Sequence, residues 1–276
     1  MEVKMQVGQN FDLAKTLTCG QCFRWIQNGP QDFIIIAHNK LYHLIQEGET
    51  LQVYSDDFEA EDNLHNYFDL DTEYNFELSA NDTFALKAIE AGKGIRILKQ
   101  DPFEALISFI ISQRNNIPKI KSTINRISTT YGEPISIELA NYPNGVTFHT
   151  FPTPEKIVNR SAYTLDECGV GYRTGYIYGA ARTILQNPSL LGDLKTCSSA
   201  ECVARLQEFR GIGPKVANCV ALFGLGHLDC FPIDIWMQRV IDKYYGEYLD
   251  PTTYGKYAGV MQQYMFYYMK YSKGEN

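Results

Sequence analysis

No run of about eighteen apolar residues occurs in this chain, so it holds no segment able to cross a bilayer as a helix. The opening residues, MEVKMQVGQNFDL, lack the basic-then-apolar order of a secretion signal. A cytoplasmic location is the expectation, at the nucleoid if the source is prokaryotic. Cysteine is sparse and unpatterned. The seven present are an odd number without framework spacing, which excludes a disulfide scaffold and implies reduced, buried small residues. Cys19 and Cys22 form a C-x-x-C, but no second pair completes a zinc site. No cysteine follows Cys230, so a four-cysteine cluster loop beyond it is excluded. Neither a metal nor a cofactor is expected.

A surplus of positive charge is also missing, since the formal net charge is −7. Its distribution is uneven. Residues 1–80 hold four Lys/Arg against fourteen Asp/Glu, a net of −10, which leaves +3 for residues 81–276. Residues 91–130 hold seven Lys/Arg against two Asp/Glu, a local +5. A basic face confined to the later part is compatible with nucleic-acid contact, with the acidic part turned away from phosphates.

At 276 residues and 45% hydrophobic content, the chain can bury a large core divided among two or three subdomains. Residues 1–80 read mainly as strands: 32–38 and 40–46 are short and β-branched, and Leu51–Tyr54 alternates. They predict an antiparallel sheet with one face on the core, followed by a helix over Asp62–Tyr67. Residues 81–276 read as a helical body, giving an α+β fold. Pro102 opens a helix that is apolar all round, hence buried. Residues 133–165, with four prolines, a glycine and several Asn and Thr residues, predict a long loop with one short helix. An aromatic-rich helix over about 254–271 closes the chain and returns toward the N-terminal part.

The chemistry concentrates in a helix-hairpin-helix over about 199–224. Ser198 with Glu201 forms a capping box, and Gly211 and Gly213 break the first helix where a sharp turn is needed. Pro214 suits the first turn of the second helix, whose free N–H groups and positive dipole end suit a phosphate. Lys215 sits on that same turn. Burial and the dipole both oppose its ammonium form, and a neutral lysine is a nucleophile able to form a Schiff base. Asp234, after a Phe-Pro-Ile turn, caps a further helix and places a carboxylate where it steadies a cation or shuttles protons. Alone, each of these two residues reads as a surface lysine and an N-cap. Together with the hairpin they read as a site.

The string Gly211-Ile212-Gly213-Pro214-Lys215-Val216-Ala217, followed by Pro232-Ile233-Asp234, resembles the helix-hairpin-helix DNA glycosylase superfamily, and in detail its 8-oxoguanine glycosylase/lyases. The lysine points to the lyase-competent branch. The resemblance implies excision of 8-oxoguanine from duplex DNA, with Lys215 as nucleophile and Asp234 stabilising the sugar cation; a monomer is the expectation, since no interface signal stands out in the sequence. Gly20, in Gly20-Gln21-Cys22-Phe23-Arg24-Trp25, would accept the N7–H found only in the lesion. Cys219 and Phe266 would pack on the two faces of the flipped base, with Gln262 on its edge. Hairpin N–H groups at Gly211 and Gly213 would hold phosphate. Tyr172 would wedge the stack, and Arg173 would contact the opposite cytosine. Read on their own, Tyr172 packs in the core and Arg173 snorkels.

The chain departs from the family pattern at three positions. The segment Arg114-Asn115-Asn116-Ile117 resembles the family's Asn-Asn-Ile segment, which fills the gap left by the extruded nucleotide, yet Arg114 stands where the family has asparagine. Lys119 stands in place of an arginine that reads the orphaned cytosine. Trp236 stands where several relatives have a histidine near the 5′ phosphate. Excision of another damaged base is one rival reading. A binding module whose lysine only touches phosphate is the other. Because lysine lacks arginine's planar fork, the preference for cytosine opposite the lesion should be weaker than in the arginine-bearing members of the family, which excision rates measured opposite each of the four bases will show.

Overall fold

The computed structural model describes residues 2–271 apart from 77, 79, 80, 140, 141 and 247, with side chains outside 137–146. The expected boundary at residue 80 therefore lies outside the described residues. Strand β1 (Glu2–Gln6) and helix α1 (Leu13–Thr18) precede β2 (Trp25–Gly29), β3 (Asp32–Ala37), β4 (Lys40–Glu47), β5 (Thr50–Tyr54) and helix α2 (Ala60–Tyr67). The strands form one antiparallel sheet in the order β1-β5-β4-β3-β2. Side chains alternate across a strand, so Phe33, Ile35 and Ala37 share one face and pack with Leu13, Leu64 and Phe68.

The opposite face is buried too. Ile34, Ile36 and Leu41 are covered there by Ile135 and Phe148. Those covering residues belong to a hairpin of β6 (Pro134–Leu139) and β7 (Tyr142–His149), followed by α6 (Pro154–Val158) and α7 (Ala162–Glu167). Residues 133–165 are thus a hairpin and two short helices rather than a long loop, with positions 140 and 141 outside the described residues. The cause is tertiary. Three consecutive isoleucines in β3 must point to both faces, and a doubly apolar strand needs cover on each. Arg24 fixes the cover in place, pairing with Glu104 at 3.0 Å and donating to the His149 carbonyl.

The helical body comprises α3 (Thr83–Gly92), α4 (Pro102–Ser112), α5 (Ile117–Tyr131), α8 (Thr174–Gln186), α9 (Leu190–Thr196), α10 (Ser199–Leu206), α11 (Pro214–Leu225), α12 (Ile235–Tyr244) and α13 (Ala258–Tyr271). Helix α4 runs through its centre. Asp101 caps it at the Glu104 N–H, Pro102 occupies its first turn, and Phe103 and Ala105 to Ile111 are all buried. Helix α13 begins after 3₁₀ turns over Pro251–Tyr257 and lies against α3. It also reaches the first part of the chain: Gln263 Nε2 donates to the Cys19 carbonyl at 2.7 Å, and the Tyr271 hydroxyl to that of Thr18 at 3.0 Å. None of the described helices is long and apolar enough to cross a membrane.

Gly259 sets where α13 starts. Its N–H donates to the Leu228 carbonyl at 2.7 Å. A Cβ there would lie 2.4 Å from the Cys230 oxygen and 2.8 Å from that of Leu228, both rigid backbone. Gly259→Ala should therefore lower stability by roughly 2–3 kcal/mol, seen as an earlier urea midpoint at unchanged slope.

Candidate active site

Ser198 caps α10 by accepting from the Glu201 N–H at 3.3 Å, as the capping-box spacing predicts. The two hairpin glycines that follow differ physically. Gly211 has φ +85°, and a Cβ on it would lie 2.4 Å from the Tyr176 ring. Gly213 has φ −96° and ψ 179°, an extended conformation open to any residue, and its missing Cβ faces open space. Only the first is required by the turn. The second leaves the N-terminal N–H groups of α11 bare to an approaching anion.

Lys215, next to Pro214 on the first turn of α11, is half-buried with its Nζ 5.7 Å from the centre of the Phe109 ring. Cys219 lies one turn further along the same face. Burial pushes its thiol up, and the charge of Lys215 works against that. Across the cleft Asp234 caps α12, its Oδ1 accepting from the N–H groups of Trp236 and Met237, both at 2.9 Å. This rigid double contact holds the carboxylate where the sequence spacing placed it.

Lys215 and Asp234 face a cleft of about 870 Å³ that continues into a narrow recess. Gly20, Cys219, Gln262 and Phe266 line the recess together with both charged residues. Six positions drawn from 20 to 266 in the chain thus surround one space. Gln262 is buried on α13, and its Oε1 has no hydrogen-bond partner among the described residues. A buried acceptor without a donor is suited to a ligand that brings one. Gly20 has φ +91°, and the Phe266 ring rests 3.7 Å from where a Cβ would stand.

Sequence reasoning missed what holds Gly20 in position. Gln21 is fully buried. It donates to the carbonyls of Thr16 at 2.9 Å and Arg96 at 2.7 Å, and accepts from the Leu98 N–H at 2.9 Å. Gln263 clamps the neighbouring Cys19 carbonyl from the far end of the chain. The available signal was a glutamine on each side of the recess, next to Gly20 and next to Gln262.

The remaining expected residues lie on the rim or beyond it. Arg114, Asn115 and Trp236 line the cleft mouth. Arg114 adopts φ +47°, rare for a side chain of its size. Lys119 is exposed on α5 and turned toward Gly169, whose Cβ would lie 3.7 Å from its Nζ. Tyr172 is 58% exposed, on a 3₁₀ turn before α8. Arg173 is placed differently from its expected role. It is buried, donates to the carbonyls of Gln113 and of Val170, and stacks 4.4 Å from the Tyr172 ring centre. Its fork supports the loop carrying Arg114 instead of pointing outward.

All seven cysteines are free thiols and six are buried. Burial pushes Cys19 up to about 11 and both Cys202 and Cys230 up to about 12. Among the described residues no cluster of three or more His, Cys, Asp or Glu is gathered to hold a metal ion.

A lysine at the mouth of a helix-hairpin-helix, an aspartate N-cap opposite it, and a recess closed by the segment between α1 and β2 and by α13 define the base-excising class of DNA repair proteins. The family model for HhH-GPD superfamily base excision DNA repair proteins matches residues 107–254, and that for the 8-oxoguanine DNA glycosylase N-terminal domain matches residues 4–106. The N-glycosylase/DNA lyase of Saccharomyces cerevisiae is 32% identical over 264 residues, 84% of this chain and 68% of that protein. MBOgg1, solved with a low-affinity DNA ligand, superposes with TM-score 0.88 at 33% identity, covering 99% of this chain and 96% of its own. The 8-oxoguanine glycosylase/lyase of Clostridium acetobutylicum, solved on duplex DNA with cytosine opposite the lesion, gives 0.85 at 32%, covering 96% and 94%. The chain belongs to the HhH-GPD superfamily, in its 8-oxoguanine DNA glycosylase branch.

The unlike hairpin glycines separate folding from DNA contact. Gly211→Ala should lose about 2 kcal/mol or more of stability. Gly213→Ala should change stability by less than about 1 kcal/mol yet weaken duplex binding. Urea unfolding and fluorescence anisotropy on a labelled duplex check the two halves.

Proposed function

We propose that this enzyme removes 8-oxoguanine from duplex DNA and then nicks the strand, acting as a monomer in the cytoplasm. The observation that carries the reading is the convergence of Lys215, Asp234, Gly20, Cys219, Gln262 and Phe266 on one recess. A base inside a duplex is out of reach of any side chain, so the target nucleotide must swing out of the stack. The recess then receives the base. Cys219 and Phe266 pack its faces, and Gln262 Oε1 accepts from its edge. A backbone acceptor at Gly20 meets N7–H in the lesion but a lone pair in guanine, leaving a buried acceptor unpaired with the normal base.

Lys215 Nζ attacks C1′ of the sugar, the C1′–N9 bond breaks, and the base departs. Asp234, held by its two N–H contacts, stabilises the cationic sugar. The amine bonded to C1′ opens the ring to a Schiff base, and loss of the C2′ proton expels the 3′ phosphate. Phosphates on either side are held by the N-terminal N–H groups of α11 and by Arg114 and Lys119 around the basic stretch. Arg173 acts from behind by fixing the Gln113–Arg114 backbone.

Borohydride trapping tests the nucleophile and the substrate together. A covalent adduct should form with a duplex carrying 8-oxoguanine opposite cytosine, and neither with undamaged duplex nor with Lys215→Gln. Lys215→Gln should lose base release by 10²-fold or more, on the order expected for removing an activated nucleophile, while retaining salt-sensitive duplex binding. Loss of that binding with no defect in excision would instead favour a phosphate-holding lysine.

A further inference from the structure

A second lysine faces the same cleft. Lys270 lies one helical turn beyond Phe266 on α13, which places it on the same face. It lines the cleft together with Lys215 and Asp234. Its Nζ sits 5.1 Å from the Phe266 ring centre and 4.9 Å from that of Tyr271. The described residues offer it no ion-pair partner. Aromatic faces hold it half-buried where a surface lysine would seek water or a carboxylate. Burial lowers its proton affinity, and the charge of Asp234 on the facing wall opposes that effect.

The chemistry above needs a base that neither of the other two groups supplies. Once Lys215 forms the protonated Schiff base at C1′, its nitrogen has no free electron pair to accept a proton from C2′. Asp234 holds its Oδ1 in two N–H contacts at the start of α12, which commits that oxygen to the helix cap. A partly desolvated amine on the opposite wall is the better match.

We propose that Lys270 is the general base of strand cleavage, an assignment that rests on Lys215 forming the Schiff base. Neutral Lys270 Nζ takes the C2′ proton. The C2′–H electron pair becomes the C2′–C3′ double bond, the C3′–O bond breaks, and the 3′ phosphate leaves with the C3′–O pair. Lys270 becomes an ammonium ion and no other reactant is consumed.

Single-turnover assays on the 8-oxoguanine:cytosine duplex separate the steps, because base release is read after alkali and nicking without it. Lys270→Gln should keep base release and borohydride trapping within about threefold while nicking falls by about 10²-fold, the size of one general-base contribution. Lys270→Arg should behave like Lys270→Gln, since a guanidinium holds phosphate but takes up no proton. Restored nicking in Lys270→Arg would overturn the proposal and make the residue a fixed cation. Equal losses of release and nicking in Lys270→Gln would overturn it too, as would no change in either. A wild-type enzyme that borohydride fails to trap would refute the Schiff base at Lys215 itself, an outcome distinct from all of these.

Discussion

One buried hydrogen bond, from Gln263 Nε2 to the Cys19 carbonyl, joins two walls that lie 244 residues apart in the chain. On one side is the peptide leading into Gly20, on the other the helix that carries Gln262, Phe266 and Lys270. Both partners are out of water, so breaking the bond would leave two polar groups unpaired, a penalty of about 1–3 kcal/mol each. That contact and the Gln21 network behind it hold these two walls of the recess together. The segment between α1 and β2 and the last helix of the body are therefore both parts of the catalytic unit.

Rigidity elsewhere follows the same logic of backbone carbonyls held by buried side chains. Arg173 grips the Gln113 carbonyl one residue before Arg114, whose left-handed backbone would otherwise relax. Asp234 is fixed by the N–H groups of the helix it caps. Lys215 is placed by a proline and a turn rather than by a salt bridge. The groups that would meet DNA are thus set before it arrives, which reduces the ordering that binding must impose.

The hairpin, the lysine, the aspartate N-cap and the buried central helix were legible in the sequence because each rests on local rules. Turn glycines, first-turn prolines and cap side chains act within a few residues, and their spacing survives in a linear string. The β6–β7 hairpin was not legible. Its composition is that of a loop, and what makes it a sheet is the second apolar face of β3, a hundred residues earlier. The isoleucine triplet carried that information but was read as a strand with a single buried face. Gln21 and Gln263 were missed for a related reason, since a hydrogen bond between distant side chain and backbone leaves no periodic trace. The reverse error occurred at Gly213, which was read as needing its glycine for the turn. Its backbone is ordinary, and what distinguishes it is empty space in front.

The buried thiols bear on the setting in which the enzyme works. Peroxide attacks thiolates, and a thiol held protonated out of solvent reacts slowly. Six of the seven cysteines are in that state, including the one against which the damaged base would pack. The oxidants that convert guanine to 8-oxoguanine therefore find little to modify in the enzyme that removes it. Repair capacity can persist through the same burst of oxidation that creates the need for it.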